Sequence, residues 1–574
     1  FSGGSADPDN GDAKPIVGSG SNVSNCYYNS DVWAGIEGIE LPCTTEAMTG
    51  ENVADTMINL DFCSATNPEG KWYCTANYQS SVQGLEMMYY PHLVVFKGNS
   101  DPICANVMYI SSYTELKKFS DKVNVGHKYM CGVLVKDIDA SGDGWTPIGK
   151  STSKYNGSFY GTGKTISKLT YTGTDCAGLF GYCDSPSISD ITLSGCTITA
   201  EDTAEGTAGH AGGICGNSSS NLTVSDVTLS GCTVTAEGTA GHAGGICGSC
   251  VSLSAFDIVL LSDNSKTNVI SGGNDGGFAG GICGKCTTNI TMNRCENKGG
   301  SVEAGTAGGL CGEFSCSNDG TVNIEWCSNL SKVNGQQYAG GICGNLNGKS
   351  KENYTNFYIK FCYNEGNITV ENSKEIIYIG GLLGKNGDFK NHSIIYGCEV
   401  TECYNRGIVL GTATATVNAG GICGMSGGTI KNCYNTGNIT GTVTGTVTDS
   451  ENSANVGGIC GVCACVISST YNIGIVYGKL GVKKSNCVGA ICGECEVSPD
   501  FLTSYYEDDI GIIGAGGKSN EDVSKSCSLL VMTGLGKGRS SDVMSEWLSD
   551  CKWVFTSDII NDSKTGVRTL YYPH

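Results

Sequence analysis

The chain has 574 residues, a formal net charge of −21 and a pI near 4.7, and 33 of its residues are cysteines. The acidic balance argues against nucleic acids and anionic membrane surfaces as partners. So many cysteines in a long chain indicate an oxidising compartment, and we expect a secreted or cell-surface protein, with a eukaryotic route favoured. The chain contains no apolar run of 18 residues, so direct membrane insertion is not predicted. Phe1 is expected to be a processed or truncated start.

The two ends of the chain resemble each other. Residues 1–21, rich in Gly, Ser and Asp, are expected to form a flexible linker or a strand donated to a neighbour. Residues 22–95 are predicted to be a second copy of the C-terminal cap, 501–574. The matching stretches are "CYYNSD" (26–31) with "SYYEDD" (504–509), "KWYCT" (71–75) with "KWVFT" (552–556), and "LEMMYYPH" (85–92) with "VRTLYYPH" (567–574).

The extra cap copy predicts assembly, because it has no repeats of its own to cover. We expect it to cover either another subunit, head to tail, or an adjacent module of the same chain. A head-to-tail contact that does not close builds a fibre. The residues predicted at this junction are Tyr27, Tyr28, Trp33, Trp72, Tyr89 and Tyr90.

Each end also carries a helical pattern. Residues 96–150 are predicted to be a leading cap with one helix over 111–126, where Ser112 and Glu115 form a capping box. Its apolar face is Leu116, Phe119 and Val123, and we expect it to cover the first coil of the repeats. A second helix is predicted over 540–555, covering the last coil, with an apolar face of Val543, Met544, Trp547 and Leu548.

Residues 151–500 contain ten copies of a glycine-rich motif. "AGGICG" itself occurs at 211–216, 243–248, 279–284, 339–344 and 419–424, and its first glycines recur every 28 to 40 residues. A period of this length is typical of solenoids and propellers. The stretches between motifs are short, β-branched and punctuated by Gly and Asn, which favours a parallel β-helix of about ten coils over a four-stranded propeller blade. The paired glycines are expected to turn the chain with positive φ and to allow close approach of coils.

In this fold the cysteines form ladders along the axis. One is predicted at the motif cysteine and a second one strand later, and disulfides are expected to fasten the coils. Pairs such as Cys286–Cys295 and Cys215–Cys232 are plausible, and the odd total leaves at least one unpaired or intermolecular thiol. The C-x-x-C spacings also fit zinc or redox chemistry, although neither context is present. The candidate disulfide residues are Cys183, Cys196, Cys215, Cys232, Cys247, Cys250, Cys283, Cys286, Cys295, Cys311, Cys316, Cys327, Cys343, Cys362, Cys423, Cys433, Cys460, Cys463, Cys492 and Cys495.

The stretch "GGICGMSGGTIKNCYNTGNITG" (420–441) resembles the GLUG repeat of extracellular, adhesin-like β-helix proteins. "FCYNEGNITV" (361–370) and "ECYNRGIVLG" (402–411) repeat its second half, and 134–150 resembles the leading segment of such proteins. The resemblance covers about 96–574 and departs from the family in its cysteine density. It implies a surface-exposed, adhesive or structural protein, and it constrains chemistry only weakly.

Eleven Asn-x-Ser/Thr sequons are candidates for N-glycosylation, a number not far above chance in a chain this rich in these residues. They are Asn22, Asn156, Asn217, Asn221, Asn289, Asn329, Asn353, Asn367, Asn391, Asn438 and Asn561. Asn367 and Asn438 fall at equivalent places in their coils, so both are expected to be exposed if one is.

Two features could bind metals. "DIDASGDG" (137–144) begins like a calcium loop, with Asp137, Asp139 and Asp143 as weak candidate ligands, but Ile148 stands where the bidentate Glu belongs. His210 and His242 are predicted to stack in adjacent coils, although duplication of "TAGHAGGICG" explains them without a metal. No cofactor is predicted.

Three function classes remain. A structural or adhesive extracellular glycoprotein is favoured, and no catalytic residue is predicted. A carbohydrate-active β-helix enzyme, a polysaccharide lyase or glycosidase, would need clustered carboxylates, whereas the acids look scattered with no recurring pair across adjacent coils. An ice- or crystal-binding face would need threonine ladders, whereas the threonines look out of register from coil to coil.

Overall fold

The computed structural model describes residues 107–495, apart from short gaps, together with isolated strands toward both ends. The gaps are residues 143, 175, 203–208, 263–267, 274–275, 317–319, 349–356, 391–392, 396, 445–452, 465 and 481–485. The predicted helix over 540–555 lies outside the described residues. No helix in the described part is long and apolar enough to cross a membrane.

The chain folds as a parallel β-solenoid, as predicted, since the pairings between successive coils are parallel and keep their register apart from local shifts, such as that between Ser218 and Asn221. The first sheet has 29 strands. These are Val107–Ile110, Cys131–Leu134, Ile138–Asp139, Ser158–Ser167, Phe180–Cys183, Ser187–Ser194, Cys215–Ser230, Cys247–Leu261, Cys283–Asn293, Glu296–Asn297, Cys311–Cys316, Thr321–Glu325, Ser328–Asn329, Cys343–Gly348, Phe357–Lys360, Tyr363–Asn364, Leu383–Asn386, Glu399–Thr401, Tyr404–Asn405, Cys423–Ser426, Ile430–Lys431, Tyr434–Asn435, Cys460–Cys463, Ile467–Ser468, Tyr471–Asn472, Cys492–Cys495, Phe501–Leu502, Tyr505–Glu507 and Lys525–Cys527.

A second set of strands closes the other side of each coil. These are Thr170–Gly173, Thr197–Ala200, His210–Gly212, Thr233–Ala236, His242–Gly244, Val269–Ser271, Phe278–Gly280, Ser301–Gly308, Lys332–Gly340, Ile368–Ser373, Ile377–Gly380, Val409–Ala413, Val417–Gly420, Ile439–Val443, Ala454–Gly457, Val476–Leu480 and Asn486–Gly489. Asp388–Lys390 and Ser393–Ile395 form a small antiparallel hairpin inserted into one coil.

The solenoid has about eight turns, slightly fewer than the ten predicted from the motif count. The first motif pairs with the next coil through the strand Phe180–Cys183 and through an isolated bridge between Ala177 and Ala211. Residues 496–500, after the last motif, lie outside the described part.

Two apolar cores run along the axis. The motif isoleucines and cysteines, such as Ile246 and Cys247, lie in the larger core with the Leu, Ile and Val side chains of the first sheet. The motif alanines, such as Ala243, lie in a second core with Val234 and its equivalents. Because neighbouring coils stack about 4.8 Å apart, each core position becomes a row of like side chains.

The paired glycines are required for close approach alone. A Cβ on Gly341 would overlap the carbonyl oxygen of Gly381 in the next coil and the side chain of Asn364. The predicted positive φ is wrong for these glycines, since none of the motif pairs adopts it. Positive φ occurs instead at another corner of the coil, at residues with side chains, such as Trp326 and Phe361.

A buried asparagine ladder fixes a third corner. Asn329, Asn364, Asn405, Asn435 and Asn472 each have 0% exposure. The side-chain amide of each of the first four donates to the side-chain oxygen of the next at 2.8 Å, as between Asn364 and Asn405. Beside it, tyrosine rings at 363, 404, 434 and 471 stack at 4.9 to 5.0 Å. The Tyr-Asn pairs of the repeat therefore hold the coils in register.

The N-terminal helix, α1, spans Tyr113–Asn124, as predicted. The Ser112 hydroxyl accepts from the Glu115 N–H, while Glu115 accepts from the Ser111 backbone N–H. Leu116, Phe119 and Val123 are buried, and Phe119 meets the ring of Phe159 in the first coils at 5.7 Å.

Both copies of the cap form the same strand pairings. Trp72–Gln79 pairs antiparallel with Glu86–Leu93, and Phe555–Asp562 pairs with Gly566–Pro573. The register agrees, because Thr75 faces Tyr90 and the matching Thr556 faces Tyr572. The domain boundaries drawn from the sequence remain predictions.

Candidate functional site: the outer rows of the glycine corner

Two rows of outward side chains flank the glycine corner along the solenoid. The first row is the residue before the motif alanine, and the second is the residue two after the motif cysteine. Row one is His210, His242, Phe278, Thr306, Tyr338, Tyr378, Asn418, Asn455 and Cys487. Row two is Tyr182, Asn217, Ser249, Lys285, Glu313, Asn345, Lys385, Met425, Val462 and Glu494.

The rows contact each other across the corner. The Lys285 amine lies 4.6 Å from the ring centroid of Phe278, and the Lys385 amine lies 5.6 Å from that of Tyr378. These contacts cover polar groups that would otherwise be solvated: Asn345 is 8% exposed and Lys385 is 9% exposed. The corner therefore gathers amines, amides and a carboxylate in a site that is poor in water.

Row two contains a connected set of charges and amides. The Lys285 amine lies 3.3 Å from one oxygen of Glu313, and the side-chain amide of Asn345 donates to the other at 3.2 Å. Asn345 and Asn455 each keep a buried side-chain oxygen without a hydrogen-bond partner. An unsatisfied buried acceptor is costly, which marks these positions as candidates for a function.

His210 and His242 stack in row one as predicted, with ring centroids 4.8 Å apart, and Phe278 continues the stack. Burial, with smaller contributions from His210 and Lys285, lowers the pKa of His242 to about 3. Burial also lowers the pKa of His210. Both Nδ1 atoms are buried without a hydrogen-bond partner. The pair is therefore neutral at physiological pH.

The motif cysteines form one ladder, as predicted. The 24 cysteines whose side chains the structure describes are all buried. The second ladder was predicted as one row, which is wrong, because its cysteines lie in two rows. Cys196 stacks on Cys232 and then on Asn268, whereas Cys295, the first of the run to Cys433, stacks on Ile258. The Asn268 side-chain amide donates to backbone carbonyls. Cysteines of both ladders donate S–H to backbone carbonyls, as Cys295 does to Ala255 and Cys215 to Asn217.

The two illustrative disulfide pairs are not formed. Cys215 and Cys232 donate to different carbonyls, those of Asn217 and Leu193, because Cys215 begins the long strand Cys215–Ser230 and Cys232 follows its end. Cys286 donates to the carbonyl of Asn289, and Cys295 to that of Ala255. One sulfur contact joins neighbouring coils instead, at 3.6 Å between Cys250 and Cys283.

Most thiols with a shifted pKa are chemically quiet in this arrangement, the exception being Cys232, whose pKa is lowered mainly by its hydrogen bond with Cys196. The hydrogen bond with the Cys247 sulfur is the main cause that raises the pKa of Cys283 to about 11, and burial raises the pKa of Cys247. A thiol with a raised pKa is a poor nucleophile and a poor metal ligand. No group of three or more potential metal-binding side chains occurs among the described residues.

The candidate calcium loop is used by the chain itself. Asp137 accepts from the backbone N–H of Thr165 at 2.8 Å, and Asp139 forms an ion pair with Lys168 at 2.7 Å. Hydrogen bonds from Lys168 and Ser141 lower the pKa of Asp139 to about 2. Ile148 is fully buried, and Asp143 lies outside the described residues.

The glycosylation candidates separate by exposure. Asn329 is wrong as a glycan site, because it is fully buried in the asparagine ladder and its amide nitrogen is hydrogen-bonded. Asn221, Asn367 and Asn438 are exposed, and Asn156, Asn217 and Asn289 are partly exposed. Asn367 and Asn438 share an equivalent place, as predicted. Asn22, Asn353 and Asn391 lie outside the described residues, as does the side chain of Asn561.

The acids are more regular than the sequence analysis indicated. Asp190, Asp226 and Asp257 occupy equivalent positive-φ positions in three adjacent coils, between paired strand segments. Arg294 follows in the same row and binds both oxygens of Asp257 at 2.6 and 2.7 Å. The expectation of no recurring acidic pair across adjacent coils is therefore wrong for this row, because strand spacers of unequal length concealed the register.

Threonines are also in register over three coils. Thr170, Thr197 and Thr233 form one row, and Thr172, Thr199 and Thr235 form a second. The next coil replaces them with Val269 and Ser271, so the drift that was predicted begins there. The regular part of this surface is short.

The predicted junction residues fall on the N-terminal cap copy. Tyr27 and Tyr28 lie in the strand Tyr27–Asn29, and Trp72, Tyr89 and Tyr90 lie in the hairpin. Trp33 lies outside the described residues.

The two rows of side chains at the glycine corner were not predicted from the sequence. Lys285, Glu313, Asn345 and Lys385 stand at a constant offset from the motif cysteine, and that offset was the available signal. Their identities differ from coil to coil, so a search for repeated letters passes over them.

No protein-family model matches the chain, and no curated protein matches it. One solved structure that it resembles is that of "a putative immunoglobulin A1 protease from Bacteroides ovatus". The identity is 15% and the TM-score 0.25, over 81% of this chain and 91% of that chain. At that score the likeness carries no argument about activity, and the fold rests on the strand register.

Proposed function

We propose that the chain is a secreted, disulfide-rich and glycosylated structural protein. Its solenoids stack end to end in an extracellular filament or surface fibre, which can also serve in adhesion. The observation that supports it best is the repeated cap. The resemblance to GLUG proteins, which is carried by the sequence alone, points the same way.

The C-terminal copy shows how a cap joins a solenoid. Its strand Tyr505–Glu507 pairs with Tyr471–Asn472 of the last coils and with Lys525–Cys527 on the other side. It therefore continues the first sheet beyond the repeats.

The N-terminal copy has one of the two strand pairings that the C-terminal copy makes. Its equivalent strand, Tyr27–Asn29, pairs in parallel with Leu41–Cys43, just as Glu507 pairs with Cys527 in the other copy. Among the described residues it has no partner corresponding to Tyr471–Asn472. We propose that the last coil of a neighbouring solenoid, in another subunit or a preceding module, supplies that partner.

Light scattering of the chain and of two truncated forms tests this. Residues 96–574 should remain folded but monomeric, whereas the full chain should grow with concentration. Removal of residues 1–21 alone is the matched control. If this shorter chain still associates, the cap at residues 22–95 makes the contact; if it does not, residues 1–21 donate a strand to the neighbour. A full chain that stays monomeric at high concentration, encoded by a gene that stops at His574, would contradict the fibre.

A carbohydrate-active enzyme is the second candidate, and the aligned carboxylates of Asp190, Asp226 and Asp257 favour it. Incubation with acidic and neutral polysaccharides should release new reducing or unsaturated ends if it is correct. Activity that survives in the variant Asp226→Asn would exclude this row as the active site.

The short threonine array supports ice or crystal binding more weakly. Thermal hysteresis at micromolar protein that is lost in Thr199→Lys would support ice binding. A protein without thermal hysteresis would exclude it.

A further inference from the structure

We propose that Lys385 and Asn345 join spontaneously in an intramolecular isopeptide bond, with Glu313 as the proton carrier. The three residues stand in consecutive coils of row two: Glu313 faces Asn345, and Asn345 faces Lys385. In-register neighbours in parallel strands have Cα atoms about 4.8 Å apart, so a lysine side chain can fold back onto the amide of the preceding coil.

The surroundings suit the reaction. Lys385 and Asn345 are 9% and 8% exposed, and the rings of Tyr338 and Tyr378 stack beside them at 5.3 Å. A buried site limits the water that would compete with the amine for the carbonyl carbon. The proximity of two reactants held on neighbouring strands replaces a bimolecular encounter.

Asn345 is held as a leaving group would need to be. Its Nδ2 donates to Glu313 Oε2 at 3.2 Å, and its Oδ1 is buried without a hydrogen-bond partner. The other oxygen of Glu313 lies 3.3 Å from the Lys285 amine, which holds the carboxylate against row two.

The step balances without an oxidant or a cofactor. The Lys385 ammonium gives up a proton, and its Nζ attacks the Asn345 Cγ. The Nζ–Cγ bond forms, the Cγ–Nδ2 bond breaks, and Nδ2 departs as ammonia, which takes up the released proton as ammonium. Glu313, in contact with Nδ2, carries protons from the attacking amine to the leaving nitrogen.

The product would be a covalent brace between two coils. It would link residues 40 positions apart in the chain and lock the register of the corner rows. Such a bond resists reducing agents, unlike a disulfide, and so would remain after reduction.

Mass spectrometry of the purified full chain tests the proposal directly. After removal of N-glycans, reduction and alkylation, the intact mass should be one ammonia molecule below the value expected for the sequence with those modifications. Trypsin should release residues 333–349 joined to 375–390, with no cleavage after Lys385. Unlinked peptides 333–349 and 375–385 at full mass would overturn the proposal, as would ammonia loss confined to a succinimide at Asn345.

Variants assign the roles. Lys385→Arg and Asn345→Ala should show the full sequence mass, and Glu313→Gln should lose most of the link while circular dichroism still reports the solenoid. Asn455→Ala is the matched control, because Asn455 has the same buried unpartnered oxygen but lies in row one, and its mass deficit should be unchanged. A link that forms equally well in Glu313→Gln would overturn the assigned proton relay.

Discussion

Single side chains at the corners carry much of the specificity of this fold. Asn405 illustrates this, because its amide donates to Asn435 and to the Gly407 carbonyl, while its oxygen accepts from Asn364 and from the Gly407 N–H. All of these groups are buried. A ladder of this kind satisfies its own polar groups only when every rung is present.

Replacement of Asn405 should therefore be costly. Asn405→Ala leaves the Asn364 amide and the Gly407 groups unsatisfied in the core, and we expect a loss of about 3 kcal/mol in the free energy of unfolding. The exposed Asn221→Ala should cost less than about 0.5 kcal/mol. Urea denaturation measures both, and equal effects would contradict the ladder's role.

The stacked histidines predict a loss of stability in acid. Their folded pKa values lie below the unfolded value near 6.5, so the unfolded chain binds more protons below that pH. Between pH 6.5 and 5.0, protonation of His242 in the unfolded chain alone should lower the free energy of unfolding by about 1.6 kcal/mol. His242→Phe, which keeps the ring stack with Phe278, should flatten this part of the curve. An unchanged slope in that variant would contradict a neutral His242.

Exposure predicts which sequons are occupied. Asn367 and Asn438 should both carry glycans in protein from its native source, and Asn329 should be bare because the solenoid buries it. Glycopeptide mass spectrometry measures occupancy at each. Bare Asn367 and Asn438 would count against a decorated surface.

At the scale of elements, the cysteine ladders decide how the coils are fastened. The sulfurs of Cys250 and Cys283, which lie in neighbouring coils although their in-register partners are Cys286 and Cys247, need to approach from 3.6 Å to about 2.05 Å to form a bond between coils. Oxidation in a secretory pathway would then add about 2–4 kcal/mol for each bond.

Thiol titration of denatured, unreduced protein tests this fastening. Material from the native source should show only a few free thiols out of 33 cysteines. A majority of free thiols would contradict both the disulfides and the secreted location, and it would leave the cysteines as small apolar core residues.

The strand period and the motif spacing were enough to predict the solenoid and the position of α1. Register was harder to predict, because spacers of 28 to 40 residues hide which letters stack, as with Asp190 and Asp226. The corner chemistry was hidden further, because the residues of row two differ from coil to coil, so that no repeated letter marks where Lys385 faces Asn345. Repetition of letters indicates structure, whereas function resides in positions whose letters vary.

At the scale of the molecule, the solenoid is a rod with coils about 4.8 Å apart and a different outer surface at each corner. A parallel sheet of this kind has two open ends, and each open end can pair with another chain. The two cap copies place one possible junction at each end of the rod. A filament therefore forms only if the N-terminal cap of one molecule contacts the last coil of another.

Electron cryo-microscopy of the concentrated full chain is the most direct measurement of that contact. We expect rods joined end to end. The repeat of about 4.8 Å should continue across each junction, and the N-terminal cap of one unit should lie against the last coil of the next. Isolated rods of single length at high concentration, indistinguishable from those of residues 96–574, would contradict the filament.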